Sequence, residues 1–490
     1  MNLSVGRLFL FVLLILICGR LSLFTEPLGI SVDESTYLTM AERVSAGGTL
    51  YVDAVDRKPP GLIWTYQGIA SLFGTWNIHA IHFVFLLLSA LISMLAFWVT
   101  RRHESALLAA AYSTCLTREV YSANAEILML LLLALSFLFF VKAMEFERPH
   151  FRLIFLASLL GSASILFKQY GGIVYALIYL VGMTIFARKR GPSLTEKIKD
   201  QFGALGIAAA SVFIILGSVS FYFKSRGALE EFWNWYLLDG LKYIQQDASQ
   251  FNNQFKVVWI FLGILLAWFP LWILAVRMFR QERNRFLALA TGGLVGSFIT
   301  VVLSGRYYTH YFIPVIWFLV ILATMRSLNR RWMMLAFLPY LVFIPLNYAR
   351  ELLPWSWAFD KSKQSAIYEL GEWIERHSFP EDRIVVWGMA SQIYVASHRG
   401  SATRFIFSDF VSGRLPGYKS AASIPIPGSM QIFLREIQEN KPKFLIDTST
   451  ANINDYGNFP LKRFPPLEEL VHSKFSLVDR VAGFDVYKRN

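Results

Sequence analysis

The stretch IHAIHFVFLLLSALISMLAFWVT, residues 78–100, contains no Asp, Glu, Lys or Arg and consists mainly of large apolar side chains. A helix of about 20 such residues crosses the hydrocarbon core of a bilayer, so this run predicts a membrane span. Applied outward along the chain, the same criterion predicts about eleven spans, at residues 6–24, 78–100, 104–117, 124–144, 152–168, 171–187, 202–222, 257–278, 286–304, 311–325 and 332–349. The predicted fold class is a polytopic α-helical membrane protein.

The composition agrees with this fold class. Of the 490 residues, 55% are hydrophobic and 17% are charged, whereas soluble domains carry about 25% charged residues. These values exclude a soluble globule, a disordered chain and a collagen-like fibre, and two cysteines are too few for a disulfide scaffold. The net charge of +13 does not indicate nucleic-acid binding, because +11 of it lies in the apolar residues 1–349 and +2 in residues 350–490.

The basic residues predict the orientation of the chain. If the N-terminus lies in the cytoplasm, the inner loops contain 18 Lys and Arg residues, whereas the short outer turns near 118–123, 169–170 and 305–310 contain Arg118 and Arg306 alone. Cytoplasmic loops carry such a basic excess. We therefore expect a multi-pass membrane protein with the 25–77 loop, the 223–256 loop and the C-terminal region outside the cytoplasm. The first apolar run resembles a signal peptide, but no small-residue cleavage motif follows it, which favours an uncleaved span.

The chain changes character near residue 350. Helical apolar spacing indicates helices at 361–377 and 431–439, and strand-like runs lie at 383–388, 403–407, 443–447 and 475–488. The predicted domains are a membrane domain at 1–349, with a functional first outer loop at 25–77, and a small extracytoplasmic α/β domain at 350–490. We find no GxGxxG motif, P-loop or zinc-ligand spacing.

Ionisable residues collect at the predicted outer face, where they become candidates for function. The first outer loop carries Asp33, Glu34, Asp56 and Lys58, and the outer ends of later spans carry Glu126, Lys168, Arg306 and His310. A channel would instead place such charges along a path through the membrane. Acids and bases from several segments thus converge on one face.

Each of these positions also has a purely structural interpretation. Asp33 and Glu34 suit the N-terminus of a helix as caps, or they supply a general base whose pKa rises at a lipid boundary. Lys58 precedes two prolines and a predicted helix, which fits a phosphate site and equally an anchoring turn. The later positions fit a solvated helix end at Glu126, a snorkelling Lys168 and an aromatic belt at 305–314.

The order of these residues resembles the bacterial GT-C glycosyltransferases, in particular the protein O-mannosyltransferases and the aminoarabinose transferases that modify lipid A (glycosyltransferase family 39). The most specific match is Asp33-Glu34 with Tyr37 three residues on, followed by Asp56 and the run Lys58-Pro59-Pro60-Gly61. Weaker matches are an acid early in the fourth span at Glu126, Phe167-Lys168 with Gln169 in place of the family's Gly, and Tyr311-Phe-Ile-Pro314. The resemblance covers about residues 6–350.

The resemblance implies an enzyme, an inverting glycosyltransferase that takes a hexose or pentose from a polyprenyl-phosphate donor. The acceptor is a hydroxyl of a glycan, lipid or protein. It implies Asp33 as the catalytic carboxylate and Lys58 as a donor-phosphate contact, with Glu126 and Lys168 as supporting polar positions. It also implies a bacterial inner membrane, with the active face outside the cytoplasm. Tyr37 and Tyr311 belong to the matching motifs.

The chemistry of glycosyl transfer extends these assignments. Glu34 would position the acceptor or tune Asp33, Lys168 and Arg306 would help Lys58 to hold the phosphate, and Asp56 and His310 would support them. No cofactor is required, since fixed lysines can replace a metal, although Asp33, Glu34, Glu126 and His310 could gather a divalent ion.

Two other functions are consistent with a multi-pass chain. A transporter or lipid flippase without covalent chemistry would show internal repeats and charged or broken helices at mid-membrane, and the sequence shows neither clearly. A non-catalytic scaffold would tolerate the loss of Asp33 and Lys58 together.

Overall fold

The computed structural model describes residues 3–25, 31–115, 122–188, 193–240, 242, 254–282, 284–305, 307–352, 361–414 and 425–490. Up to residue 352 the described chain is helical. Its α-helices are α1 (Val5–Arg20), α2 (Ser22–Thr25), α3 (Val32–Ser45), α4 (Pro60–Phe73), α5 (Ile78–Thr100), α6 (His103–Tyr112), α7 (Ala125–Ala143), α8 (Phe151–Ala163), α9 (Gly171–Ala187), α10 (Leu194–Ser225), α11 (Leu229–Trp233), α12 (Gln254–Ala267), α13 (Phe269–Gln281), α14 (Arg285–Ser304), α15 (Ile313–Ala323) and α16 (Arg330–Leu352). Short 3-10 turns at Ser164–Leu166 and Thr309–Phe312 and a π-helical turn at Asn234–Leu238 interrupt this series.

The predicted spans coincide with helices or helix pairs, but the helices differ in length. Among the described residues, five helices are long and apolar enough to cross a bilayer, namely α5, α7, α10, α14 and α16. The segment Phe261–Ala267 and α13, bent by 78°, would make a sixth span if counted together. The ten residues of α6 reach about 15 Å, half the thickness of a hydrocarbon core. The number of spans therefore stays a prediction.

The surface of α10 is typical of a helix in contact with lipid. Phe202, Phe213 and Phe221 are 70%, 78% and 73% exposed. In the most apolar 18-residue stretch of this helix, 17% of the residues are buried. Large apolar side chains in such a row require a non-aqueous neighbour. The chain is an integral membrane protein.

Small residues allow the membrane helices to approach closely, as is usual in lipid. A Cβ atom added at Gly293 of α14 would lie 2.2 Å from the ring of Phe318 in α15, and one at Gly161 of α8 would lie 2.1 Å from the ring of Tyr175 in α9. Around these contacts α9 packs on α14, and α5 packs on α1, α6 and α7.

The C-terminal part is an α/β unit. Its helices are α17 (Lys361–His377), α18 (Gln392–Ser397), α19 (Asp409–Ser412), α20 (Ser429–Asn440) and α21 (Pro465–Lys474), and its strands are β1 (Ile384–Trp387), β2 (Phe444–Asp447), β3 (Phe475–Val481) and β4 (Phe484–Arg489). The sheet has the order β1-β2-β4-β3. Strands β1 and β2 are parallel, with Ile384 opposite Phe444, and the other pairs are antiparallel. The predicted α/β architecture is present.

One predicted strand is wrong. Residues 403–407 form bends rather than a strand. The Thr403 hydroxyl donates to the carbonyl of Phe405, and the Arg404 carbonyl accepts from the backbone N–H of Val55 in the membrane domain. The run is apolar because it is buried at a junction, and a buried loop cannot be told from a buried strand by its composition.

Candidate active site

Asp33 owes its position to a capped helix N-terminus. The Ser31 hydroxyl accepts from the backbone N–H of Glu34 (3.1 Å), and the Glu34 carboxylate accepts from the N–H of Ser31 (2.9 Å), which is a complete capping box. Asp33 lies in the first turn of α3, and its side chain is 41% exposed. A carboxylate at this point is favoured by the helix dipole and still reachable from outside.

Lys58 is held by the turn that leads into α4. The Tyr51 hydroxyl donates to the carbonyl of Lys58 (2.8 Å), and Pro59 and Pro60 follow at the helix cap and first turn. The ammonium lies 3.7 Å from the Asp33 carboxylate and 5.2 Å from the centre of the Tyr37 ring. The predicted pairing of acid and base is thus present in the structure.

The electrostatic surroundings keep Lys58 charged. Burial alone would lower the pKa of Lys58, but the neighbouring carboxylates of Asp33 and Asp56 outweigh it and hold the pKa well above its usual value. Burial raises the pKa of Asp56, whose carboxylate accepts from the N–H of Arg57. Burial also raises the pKa of Tyr37, which therefore stays a neutral phenol beneath the ammonium.

A second polar cluster comes from three other segments. The Glu126 carboxylate at the start of α7 lies 3.0 Å from the Lys168 ammonium and 3.9 Å from Nε2 of His310. Lys168 also sits 4.5 Å from the centre of the Tyr311 ring. Glu126 lies close enough to Lys58 for their charges to interact, so the second cluster adjoins the first. Each cluster contributes one described ammonium group, Lys58 in the first and Lys168 in the second.

Glu34 requires a correction. Its side chain is fully buried, and its carboxylate accepts from the backbone N–H groups of Ser31 and Ala123 and faces Nε2 of His82 at 3.1 Å. Burial alone would raise the pKa of Glu34, but His82 and these two amides outweigh it and lower the pKa to about 2. From there Glu34 does not contact an acceptor, which corrects the first of its two predicted roles, and its contacts instead brace α3. Its other predicted role, tuning Asp33, stays a prediction.

Two further predictions concern Arg306 and a divalent metal ion. Arg306 lies outside the described residues, as does Arg118. Across the described part of the chain, no three His, Cys, Asp or Glu side chains come together in a way that could hold a metal ion. The suggested gathering of Asp33, Glu34, Glu126 and His310 around a divalent ion is therefore not seen there.

The sequence did not point to the contacts that enclose the Lys58 turn. Arg57 forms an ion pair with Asp239, and its guanidinium lies 4.8 Å from the centre of the Phe410 ring in α19. The Gln169 amide, which departs from the family pattern, donates to the carbonyl of Tyr236 (2.7 Å). The Trp- and Tyr-rich run at 233–236 was the one signal that this loop approaches the site.

The C-terminal unit also holds the helix that bears Asp33. The Ser391 hydroxyl donates to the carbonyl of Val32 (2.8 Å) and lies 2.7 Å from the Ser35 hydroxyl and 2.8 Å from that of Thr36. Further along α3, Arg43 donates to the carbonyl of Ser401 (2.7 Å). These contacts make the α/β unit part of the scaffold of the site.

The chain is similar to known proteins in sequence and in fold. The family described as dolichyl-phosphate-mannose-protein mannosyltransferase matches residues 57–216, a range that includes Lys58, Glu126 and Lys168 and begins after Asp33. The fold is similar to the crystal structure of ArnT from Cupriavidus metallidurans bound to undecaprenyl phosphate, with a TM-score of 0.62 and 14% identity over 99% of this chain and 98% of that chain. The predicted resemblance is confirmed.

Two other structures are similar in fold. The apo state of the same ArnT gives a TM-score of 0.62 and 14% identity over 98% of this chain and 97% of that chain. The oligosaccharyltransferase of Archaeoglobus fulgidus, tethered to an acceptor peptide, gives 0.50 and 13% identity over 99% of this chain and 74% of that chain. No curated protein matches the sequence significantly. The chain thus has the fold of GT-C glycosyltransferases, and at these identities the likeness is one of fold.

Proposed function

We propose that this chain is an inverting glycosyltransferase that moves a sugar from a polyprenyl-phosphate donor to an acceptor hydroxyl on the extracytoplasmic face. Asp33 is the base, Lys58 is the main phosphate contact, and Lys168 supports Lys58. The observation that carries this proposal is the carboxylate of Asp33 at 3.7 Å from the ammonium of Lys58. This is too long for a hydrogen bond, so a donor phosphate can become the partner of the ammonium.

The reaction uses a carboxylate and an ammonium group that lie close together, as Asp33 and Lys58 do. In an inverting displacement the acceptor oxygen attacks the anomeric carbon as the bond from that carbon to the phosphate oxygen breaks. The hydroxyl proton passes to Asp33, and the polyprenyl phosphate leaves with one additional negative charge. General-base help is worth about 10²–10⁴-fold in rate, and a fixed cation at the leaving group contributes a similar factor.

The second cluster supports the same chemistry. Lys168 adds a second cation, while Glu126 holds both Lys168 and His310 in place without being exposed to solvent itself. Two ammonium groups on stiff supports suit a phosphate whose charge increases as the bond breaks. A similar fold has been crystallised with undecaprenyl phosphate, which supports a lipid phosphate as the carrier, and the basic inner loops support an outward-facing site.

The test is incubation of the purified protein, in nanodiscs, with a panel of polyprenyl-phosphate sugars and candidate acceptors. Release of lipid phosphate with one donor supports the proposal, and the anomeric configuration of the product, read by NMR, tests inversion. The same assay with a chelator reports metal dependence. A folded protein that moves donor lipids between leaflets without releasing lipid phosphate would instead support the flippase alternative.

A further inference from the structure

A cavity of about 370 Å³ lies between the membrane helices and the C-terminal unit, away from Asp33 and Lys58. On the membrane side it is lined by the residues around the start of α5, including Trp76 and His79, and on the other side by α17 and α18. Its volume falls within the range of about 300–1,000 Å³ that is usual for small-molecule sites. No part of the proposed reaction uses it.

The lining combines aromatic faces with hydrogen-bond acceptors. Trp76 and Tyr368 supply rings, and Glu372 and Glu375 supply carboxylates. Gln392, at the start of α18, lines the same cavity. Each carboxylate oxygen can accept more than one hydrogen bond, so a ligand that carries hydroxyl groups would be stabilised here.

The lining also argues against an anionic ligand. Among the described residues, the lining contains two carboxylates and neither Lys nor Arg. Arg376 pairs with Glu372 at 3.1 Å from outside the lining, and His398 pairs with Glu375 at 3.1 Å. Phosphate recognition normally requires Arg or Lys facing the ligand. Aromatic rings can stack on the apolar face of an uncharged sugar, and the carboxylates can accept hydrogen bonds from its hydroxyl groups.

The cavity is connected to the catalytic helix by one residue. Gln392 follows Ser391, whose hydroxyl bonds to the carbonyl of Val32, the neighbour of Asp33. On the membrane side, His79 lies one helical turn from His82, which braces Glu34. A ligand in the cavity is therefore held by the same elements that position Asp33.

We propose that this cavity binds an uncharged sugar unit of the acceptor, which makes the acceptor a glycan rather than a phosphorylated lipid headgroup. That the sugar belongs to the acceptor rests on the proposed function, whereas sugar binding in the cavity can be tested separately. Trp76 provides the stacking face, and Glu372 and Glu375 accept hydrogen bonds from hydroxyl groups.

Saturation-transfer NMR on the full chain tests this. The protein is placed in nanodiscs, because maltoside detergents carry a sugar headgroup, and is mixed with maltotriose, triacetylchitotriose or glucose 6-phosphate. We expect saturation transfer to at least one neutral trisaccharide and none to the phosphate. Trp76→Ala should weaken that binding about 10-fold, as for other central aromatic contacts. The matched control Trp259→Ala removes a 70% exposed Trp of α12 and should leave binding unchanged.

The outcomes separate this inference from the proposed function. No saturation transfer to either neutral trisaccharide in the folded wild type, or binding that Trp76→Ala leaves intact, overturns the sugar site. Asp33→Asn should abolish transfer and keep sugar binding. If binding depends on Trp76 but no donor supports transfer, the proposed function fails and the sugar site stands. If transfer proceeds and Trp76→Ala leaves the acceptor KM unchanged, the sugar site fails and the proposed function stands.

Discussion

The carboxylate of Asp33 lies 3.7 Å from the ammonium of Lys58, and local contacts fix the backbone that bears each group. Asp33 sits in the first turn of a helix fixed by a capping box. Lys58 sits between the Tyr51 hydroxyl bond and two prolines. Neither group needs to be ordered when substrate arrives, and such preorganisation is the main source of electrostatic catalysis.

The first prediction concerns Lys58. Lys58→Ala should lower turnover by at least about 100-fold, because the leaving phosphate loses a fixed cation. Lys58→Arg should recover part of that loss, since it restores the charge with a different shape. Lipid-phosphate release measures both. Lys462→Ala, on an exposed residue of the C-terminal unit, is the control, and an active Lys58→Ala would remove Lys58 from the mechanism.

The second prediction concerns Glu34 and His82, which brace α3. Glu34→Gln should lower the free energy of unfolding near neutral pH by about 3 kcal/mol, because the buried contact with His82 loses the charge of the carboxylate. The low pKa of Glu34, about 2 in the folded protein, means that its contribution is present above the unfolded pKa of about 4.3. The contribution is lost as the pH falls through these values.

Thermal unfolding measured across pH checks this prediction. The gap in Tm between wild type and Glu34→Gln should narrow as the pH falls from about 5 towards about 2, since protonation of the wild-type carboxylate then leaves position 34 uncharged in both proteins. Glu372→Gln, which breaks an exposed ion pair with Arg376, is the control, with an expected cost of at most about 1 kcal/mol. A gap that does not change with pH would show that Glu34 is not charged in the fold.

The third prediction is a double-mutant cycle on Glu126 and Lys168. Glu126→Gln and Lys168→Met should each destabilise the fold, since each leaves a partner charge buried at a distance of 3.0 Å from where its counter-charge was. The double variant should be more stable than the sum of the two losses predicts, with a coupling of about 0.5–3 kcal/mol. It should nevertheless transfer sugar slowly, because the second cation is missing. Additive losses would mean that the pair does not interact.

The fourth prediction concerns the clamp between the C-terminal unit and α3. Ser391→Val removes a hydroxyl that bonds to Val32 and contacts Ser35 and Thr36, and unsatisfied buried partners cost about 1–3 kcal/mol. We expect faster amide exchange across residues 31–45 and slower sugar transfer. Ser473→Ala, which loses one local bond to Leu470, should change neither. Unchanged exchange in Ser391→Val would mean that the clamp does not hold α3.

The sequence identified the helical membrane class, because long apolar runs are a local signal. That Asp33 and Lys58 belong to one site was implied by the family resemblance, since capping residues and prolines alone fit a structural role equally well. The sequence also anticipated the convergence of Glu126, Lys168, His310 and Tyr311 on one face. It did not reveal the burial of Glu34 against His82, since the sequence of α5 does not show which side chain it meets. The apolar run at 403–407 was misread as a strand for a similar reason: its burial comes from contact with Val55 in another domain.

The role of Asp33 as base is the central claim, and the turnover of Asp33→Asn tests it most directly. The variant keeps the size of the side chain and its place in the capped helix and loses only the charge, so the protein should fold with at most a small fall in Tm. With the donor that the wild type accepts, the rate of lipid-phosphate release should fall at least about 100-fold. A well-folded Asp33→Asn that releases lipid phosphate at a rate close to that of the wild type would contradict the account.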